Sequence, residues 1–216
     1  DDTEHFGVEQ CGFLVPSDKH FEMGGGEFCG NAARSAAILF HQFNAEEEFE
    51  FTMSGFKGRV QATVKQTDGN KYDVTCVFPG LEVQTTPVQA LGQNATLVDL
   101  GGIVHVVIEN EFPIEDYETK HRQITQDLNL TERGAVGVCW INREEEIVNM
   151  HPVVWVRDID SFFYETSCGS GTIAVGRVTK VNSVVQPSGQ TINVNFQPAG
   201  VHLHSEMEVT HEYQRH

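Results

Sequence analysis

Apolar and polar residues alternate along much of this chain, a pattern typical of half-buried β-strands. The alternating runs are rich in β-branched and aromatic residues, and turn sequences such as Thr67-Asp68-Gly69-Asn70 separate them. We therefore predict strands over residues 49–53, 59–65, 71–78, 103–108, 153–156 and 191–196.

Helical periodicity is confined to three segments, residues 31–43, 117–128 and 170–180. The rest of the chain is divided between predicted strands and turns. A few helices set among many strands predict an α+β protein whose sheet is mainly antiparallel.

An internal repeat is the most informative feature of this organisation. Residues 28–36 and 167–175 each contain a Cys-Gly step, then a small polar residue, then a helix of small and aliphatic residues. A Ser-Gly step that opens a strand follows each copy in the same order, at 54–55 and at 188–189. The repeat therefore predicts two similar domains that share one structural device.

The chain is strongly acidic, with 31 Asp and Glu against 14 Lys and Arg among its 216 residues, a formal net charge of −17. Such a surface repels phosphate backbones and anionic headgroups, so nucleic acid and membranes are excluded as partners. No segment approaches the roughly 20 apolar residues of a membrane span, and the acidic start does not resemble a secretory signal. We therefore expect a soluble, cytoplasmic protein.

Five cysteines, an odd number at wide spacing, favour a reducing compartment. Cys11, Cys76 and Cys139 lie in apolar runs and are predicted to be buried strand residues. Cys29 and Cys168 differ, because each immediately precedes a predicted helix. There the thiol lies beside unpaired backbone N–H groups and the positive end of the helix dipole, which lowers the pKa of a thiol toward neutral pH.

Metal and redox motifs are not indicated. None of the cysteines forms a CxxC pair, so neither a zinc knuckle nor a thioredoxin-like site is expected. His202 and His204 share one face of a strand, where two imidazoles can in principle hold a metal ion. No cysteine lies near them in the sequence, so we predict no metal site.

The two predicted helix starts also provide seats for an anion. Gly30 and Gly169 let a ligand approach the backbone, and the N–H groups of Gly30, Asn31, Gly169 and Ser170 could hold a carboxylate. If the two copies face each other across a cleft, one thiolate could remove the α-hydrogen of a bound amino acid while the other thiol protonates the opposite face. Exclusion of water and the N–H groups would stabilise the developing charge. This chemistry inverts a stereocentre without a cofactor.

The two cysteine motifs resemble those of the diaminopimelate epimerase superfamily, cofactor-independent racemases and epimerases that use two cysteines. Residues 27–34, Glu-Phe-Cys-Gly-Asn-Ala-Ala-Arg, resemble its first cysteine motif, and residues 165–172, Glu-Thr-Ser-Cys-Gly-Ser-Gly-Thr, its second. The chain is most similar to the histidine racemase branch, which makes D-histidine for opine-type metallophores such as staphylopine. Further similar segments are residues 9–13, 23–31, 53–55, 104–108 and 186–189.

The resemblance implies that Cys29 and Cys168 are the catalytic acid and base. It also implies that His105 takes or holds a thiol proton and that Glu165 orients a neighbour. The implied substrate is a small amino acid and no cofactor is needed, while a homodimer remains open.

Two departures from the epimerase pattern bear on the substrate. Gly102-Ile103-Val104-His105 replaces Gly-Asn-Pro-His and keeps only the histidine of the polar pair. Thr166 aligns with an arginine that grips the distal end of diaminopimelate in the epimerases. Without this bidentate partner for a second carboxylate, the substrate should be an amino acid that lacks a second amino-acid head group. L-histidine is implied only by the resemblance to the histidine racemase branch.

The superfamily fold implies two pseudo-symmetric domains, each an antiparallel sheet wrapped around a central helix. We assign residues 1–90 to the first domain and 91–206 to the second, with the boundary near residues 85–94, where turn residues interrupt the pattern. Residues 207–216 are expected to return to the first domain. Family members carry a longer segment ahead of Glu9, so we expect the first strand of the N-terminal domain to be missing from this chain.

Three alternatives remain open. The protein could be an epimerase for diaminopimelate or another amino acid, a non-catalytic amino-acid-binding domain, or a thiol redox protein whose working state is a Cys29–Cys168 disulfide. The first differs from a histidine racemase in its substrate. The other two predict no loss of the α-hydrogen to solvent.

Overall fold

A computed structural model describes residues 11–145 and 147–210, which form fourteen strands, three α-helices and two single-turn 3₁₀ segments at Pro16–Asp18 and Arg157–Ile159. The three helices are α1 (Gly30–Asn44), α2 (Tyr117–Asp127) and α3 (Gly169–Thr179). The strands are β1 (Gly12–Val15), β2 (His20–Met23), β3 (Glu48–Met53), β4 (Phe56–Asp68), β5 (Lys71–Phe78), β6 (Gln84–Ala90), β7 (Gln93–Asp99), β8 (Val104–Glu109), β9 (Ala135–Glu144), β10 (Ile147–Val156), β11 (Ser161–Tyr164), β12 (Ser183–Val185), β13 (Thr191–Gln197) and β14 (Gly200–Glu208).

All fourteen strands belong to one sheet, with the order β1-β2-β3-β4-β5-β14-β13-β12-β10-β9-β8-β7-β6 and with β11 paired to β10. The pairs are antiparallel apart from β2–β3, β8–β9 and β10–β12. The last strand, β14, connects the two halves of the sheet. It pairs with β5, where Met207 lies opposite Tyr72, and with β13, where His204 lies opposite Asn193.

Helices α1 and α3 are the centres of the two halves of the molecule. Helix α1 packs against β2, β4 and β5, and its buried face contains the small residues Ala33, Ala36 and Ala37. Helix α3 packs against β8, β9, β12, β13 and β14. Helix α2 belongs to a second core, in which Ile124 packs with Trp140 and neighbouring strand residues. A small-residue face lets each central helix approach its strands closely.

The N-terminal ends of α1 and α3 contact each other through glycine backbone. A Cβ atom built on Gly169 would lie 2.8 Å from the carbonyl carbon and the Cα of Gly30 and 2.9 Å from the amide nitrogen of Asn31. A Cβ on Gly30 would lie 3.1 Å from the same backbone atoms of Gly169. Only glycine at both positions permits this contact without displacing main chain.

The predicted α+β class and the three predicted helices are confirmed. The helices begin one residue earlier than predicted at both cysteine motifs, and the predicted strands all lie within or overlap observed strands. Residues 85–94 form most of the β6–β7 hairpin, and the domain boundary there stays a prediction. Of the segment expected to return to the first half, Met207 and Glu208 pair with β5, and residues 211–216 lie outside the described residues. None of the described helices is long and apolar enough to cross a membrane.

One burial prediction is wrong. Cys76 in β5 and Cys139 in β9 are fully buried, as predicted, but Cys11 is exposed and precedes β1 rather than lying within a strand. The strand that follows it, β1, pairs with β2 at the edge of the described sheet and is mostly exposed, and only Leu14 of this apolar run packs partly buried against the core.

The glycine contact predicts that Gly169→Ala lowers the free energy of unfolding by about 1–3 kcal/mol, because the added methyl group meets backbone that cannot rotate away. Urea denaturation measures the change. Gly134→Ala is the matched control, since a Cβ there has no neighbour within 4 Å, and it should change stability by no more than about 0.5 kcal/mol. Equal stabilities of the two variants would contradict the close contact.

Candidate active site

Cys29 and Cys168 occupy equivalent positions as the N-cap residues of α1 and α3. The Cys29 Sγ accepts a hydrogen bond from the Ala32 N–H at 3.4 Å, and the Cys168 Sγ accepts one from the Gly171 N–H at 3.3 Å. Both residues are buried. Each sulfur therefore satisfies a helix N-terminal donor, a role that Ser or Asp usually fills.

The structure brings the two cysteine loops together. Besides the contact between Gly30 and Gly169, the Asn31 side-chain amide donates to the Ser167 carbonyl at 2.6 Å. Residues that directly flank each cysteine thus meet across the two halves of the molecule. This arrangement places the N-termini of both central helices at one locality, as the two-cysteine hypothesis requires.

One buried carboxylate serves both cysteines. Glu165 is 4% exposed, the Cys168 thiol hydrogen-bonds to its side chain, and its negative charge also acts on Cys29. A carboxylate that accepts the S–H of a thiol stabilises the protonated thiol, and it can also receive that proton. Glu165 therefore acts electrostatically on both thiols, and the orienting role implied for it stays a prediction.

The expectation that the helix dipoles lower the thiol pKa values is wrong for this geometry. Burial raises the pKa of Cys29 to about 12, the Glu165 charge adds to the rise, and the Ala32 and Asn31 N–H groups only partly oppose it. Burial and Glu165 likewise raise the pKa of Cys168 well above its usual value. The cost of burying a thiolate exceeds the gain from the helix terminus, so both thiols carry their protons near neutral pH.

His105 reaches the site through a serine. Its Nε2 lies 2.9 Å from the Ser170 Oγ, and that hydroxyl lies 3.6 Å from the Cys168 Sγ. On the other side of the ring, Nδ1 lies 3.6 Å from the Cys139 Sγ. His105 is fully buried in β8, and burial lowers its pKa to about 3, so the ring is neutral. A neutral imidazole can orient hydrogen bonds here without carrying charge.

The side chains predicted to bind substrate are engaged within the protein. Ser170 contacts His105 and Cys168, and the Asn31 side chain contacts Ser167 and Arg34. The predicted carboxylate seat therefore relies on main-chain N–H groups at the two helix starts. Nothing in the described geometry assigns that seat to a ligand, and it stays a prediction.

Arg34 is a structural element that the sequence analysis missed. Its guanidinium is 2% exposed and donates to the Gly30 carbonyl at 3.2 Å, to the Ser205 hydroxyl at 2.6 Å and to the Asn31 side-chain oxygen. No carboxylate of residues 11–145 or 147–210 forms an ion pair with it. Arg34 thus ties the first turn of α1 to β14. The only signal in the sequence was the apolar face of the predicted helix, and such a face does not predict a buried cation.

Gln186 supports the second cysteine. Its side-chain oxygen accepts the Cys168 N–H at 2.9 Å, and its amide nitrogen donates to the Thr172 hydroxyl at 3.0 Å and to the Val184 carbonyl at 3.1 Å. These bonds fix the backbone from which the Cys168 sulfur projects. The only signal in the sequence was the position of Gln186 in the segment resembling the family.

Glu27 presents an unpaired polar atom close to the first cysteine. Its Oε2 is buried and has no hydrogen-bond partner among residues 11–145 and 147–210, and its charge acts on Cys29, two residues away. A buried carboxylate oxygen without a partner is costly, and in native proteins such an atom points to a missing ligand or water. Its carboxylate is therefore a candidate acceptor for a donor group of the substrate.

Among the described residues, no group of three or more His, Cys, Asp or Glu side chains is arranged to hold a metal ion. His204 is engaged elsewhere, with Asp73 at 2.6 Å and Asn193 at 3.2 Å.

Structural comparison identifies the fold. One similar structure is the crystal structure of a phenazine biosynthesis protein of the PhzF family from Enterococcus faecalis. The match covers 94% of this chain and 81% of that protein's chain, with a TM-score of 0.51 and 17% sequence identity. Another is the structure of a predicted epimerase from Pseudomonas aeruginosa. The match covers 92% of this chain and 81% of that protein's chain, with a TM-score of 0.56 and 10% sequence identity. Likeness at these identities concerns the fold alone.

Sequence comparison identifies the family. The family model described as the histidine racemase CntK N-terminal domain matches residues 2–216. A histidine racemase of Fusobacterium nucleatum subsp. nucleatum is 33% identical over 201 residues, which are 84% of this chain and 72% of that protein. A histidine racemase of Staphylococcus aureus is 24% identical over 185 residues, 80% of this chain and 65% of that protein. By its sequence, the chain belongs to the histidine racemase family.

Proposed function

We propose that the protein is an amino-acid racemase that inverts the α-carbon with Cys29 and Cys168 and without a cofactor. The observation that carries the proposal is the contact between the two cysteine loops, with one sulfur at the N-terminus of each central helix. Glu165 adds a carboxylate whose charge acts on both sulfurs. A pair of acid and base groups at one place is what cofactor-free inversion needs.

The proton balance of the reaction closes within these three side chains. The Cys168 thiol first gives its proton to Glu165, and the resulting thiolate removes the α-hydrogen of one enantiomer of the amino acid. The Cys29 thiol delivers its proton to the opposite face and becomes a thiolate, which regains a proton from Glu165. Both thiols and the carboxylate are then restored, and the reverse order converts the other enantiomer.

The substrate itself assists ionisation of the thiols. Its α-ammonium group brings a positive charge beside them, which lowers the pKa of a neighbouring thiol. Its carboxylate would occupy the N–H groups of Gly30, Asn31, Gly169 and Ser170, where the two helix termini stabilise the charge that develops during removal of the α-hydrogen. Loss of water from the closed site strengthens both effects.

Histidine is the proposed substrate, supported by the family and by one feature of the site. The Oε2 of Glu27, which has no partner among the described residues, can accept an N–H of an imidazole. We further propose that the product, D-histidine, serves the biosynthesis of an opine-type metallophore, which the branch resemblance supports. We also propose that the enzyme is cytoplasmic, which the odd number of widely spaced cysteines supports. The amino acid is the only partner proposed, and a homodimer remains open.

The two-cysteine proposal predicts that Cys29→Ser and Cys168→Ser each lower the racemisation rate of L-histidine by about 10²–10⁴-fold, the usual worth of a positioned acid or base. Chiral chromatography under reducing conditions measures the rate. Cys11→Ser is the control, because Cys11 is exposed and outside the site. Racemisation of diaminopimelate but not histidine would identify an epimerase, and binding of histidine without racemisation would identify a binding domain.

The raised thiol pKa values predict the order of alkylation. Iodoacetamide at pH 8 should modify the exposed Cys11 first, and Cys29 and Cys168 only slowly, because their sulfurs are buried and protonated. Peptide mapping by mass spectrometry gives the rate at each site. Rapid modification of Cys168 at pH 7 would show that it rests as an accessible thiolate, against the burial described here.

The role of Glu27 predicts that Glu27→Ala raises KM for histidine by about 10-fold or more at a similar kcat, because a hydrogen bond to the non-reacting end of the substrate is uniform binding. Folding stability should be unchanged or higher, since the variant removes an unpaired buried oxygen. The exposed Glu47→Ala serves as the control. A lower kcat at unchanged KM would instead assign Glu27 to the electrostatics of Cys29.

A further inference from the structure

A buried cysteine outside the proposed reacting pair lies at the far end of the His105 contacts. Cys139 is fully buried in β9, with its Sγ 3.6 Å from Nδ1 of His105. The opposite ring nitrogen lies 2.9 Å from the Ser170 Oγ, which lies 3.6 Å from the Cys168 Sγ. Cys139, His105, Ser170 and Cys168 thus form one continuous buried chain of hydrogen-bonding groups.

Pairing of β8 with β9 holds the histidine ring in place within this chain. The parallel register puts His105 opposite Gly137, two residues before Cys139. Any side chain at residue 137 would collide with the imidazole, because a Cβ there would overlap Nδ1. The glycine therefore leaves room for the ring to reach Ser170 on one side and Cys139 on the other.

The chemistry of the groups decides which group donates and which accepts at each step of this chain of hydrogen-bonding groups. A neutral imidazole has one N–H donor and one acceptor nitrogen. Burial lowers the pKa of His105 to about 3 and raises the pKa of Cys139 well above its usual value, so the ring is neutral and the thiol keeps its S–H. An S–H directed at Nδ1 makes that nitrogen the acceptor and leaves the ring proton on Nε2.

The remaining links follow from the position of that proton. An Nε2–H donates to the Ser170 Oγ, so the hydroxyl proton of Ser170 is free to point at the Cys168 sulfur. If the ring proton were on Nδ1 instead, the Ser170 hydroxyl would donate to Nε2. The Nδ1–H would then donate to the neutral Cys139 sulfur, which is a weak acceptor. Only the tautomer with the proton on Nε2 lets the Ser170 hydroxyl act as a second donor to a Cys168 thiolate, beside the Gly171 N–H.

We propose that Cys139 is a positioning residue that fixes the tautomer of His105 and thereby aims the Ser170 hydroxyl at the Cys168 thiolate. This inference rests on the proposed function, in which Cys168 becomes a thiolate in each turnover. No proton travels along the chain, because each group keeps its own hydrogen and only the orientations are set. Cys139 and His105 act through Ser170 and touch neither the substrate nor its α-carbon.

The tautomer is measurable without any activity. Nitrogen-15 NMR of protein labelled at histidine, with His105→Gln to assign the signal, should show a pyridine-type Nδ1 and a pyrrole-type Nε2 for His105. Cys139→Ser keeps a donor at this position and should preserve that pattern. Cys139→Ala removes the donor and should populate the Nδ1–H tautomer or a mixture of the two.

Kinetics of the same variants separate positioning from packing. If Cys139 positions the ring, Cys139→Ser keeps most of the wild-type kcat, while Cys139→Ala lowers kcat about tenfold, the worth of one hydrogen bond. If Cys139 only fills space, alanine is the better replacement, because an apolar core tolerates a methyl group more readily than a hydroxyl. Cys76 is also fully buried and lies outside this chain of hydrogen-bonding groups, so it is the matched control site. There, the Cys76→Ala variant should be at least as stable as Cys76→Ser in thermal unfolding.

A His105 ring protonated on Nδ1 in the wild type, or a Cys139→Ala variant with wild-type kcat and the Nε2–H tautomer, would overturn the inference. A kcat for Cys139→Ala above that for Cys139→Ser would also overturn it. Failure of the proposed function is distinguishable, because it would appear as absent racemisation in the wild type while the NMR result at His105 is still obtained.

Discussion

The close contact between the first residues of α1 and α3 is the constraint on which the site depends. Each central helix belongs to its own half of the sheet, and β14, paired with both β5 and β13, makes the two halves continuous. Gly30 and Gly169 then let the helix starts meet at backbone distance. Since each helix begins immediately after its cysteine, whatever fixes this contact also fixes both sulfurs relative to each other.

Buried polar groups reinforce this contact from both sides. Arg34 and Asn31 connect the start of α1 to β14 and to Ser167, and Gln186 holds the backbone of Cys168. Such networks are costly unless every member has a partner, and when satisfied they specify one arrangement. Burial of the same site raises the pKa of each thiol, so the thiols are ordered but protonated. We infer that substrate charge must restore their reactivity.

The sequence predicted the parts of the site whose signals are local. The Cys-Gly steps and the Ala-rich segment after Cys29 predicted both central helices, and alternation predicted most strands, because these depend on neighbouring residues. Effects of tertiary burial were not predictable in this way. The helix termini suggested reactive thiols, whereas desolvation reverses the direction of the pKa shift at Cys29, and Cys11 lies exposed although its apolar neighbours resemble a buried strand. Likewise, Cys139 looked like an ordinary strand residue until pairing of β8 with β9 placed it against His105.

The central claim is that two different sulfurs act on opposite faces of one carbon, and the position of isotope early in the reaction tests it most directly. L-histidine is converted in deuterium oxide, and each enantiomer is isolated at low conversion and analysed by mass spectrometry. With two separate groups, the D-histidine formed carries deuterium at the α-carbon, while the recovered L-histidine retains hydrogen. Equal deuterium content in both enantiomers from the start would mean that a single group serves both faces, and would contradict this account.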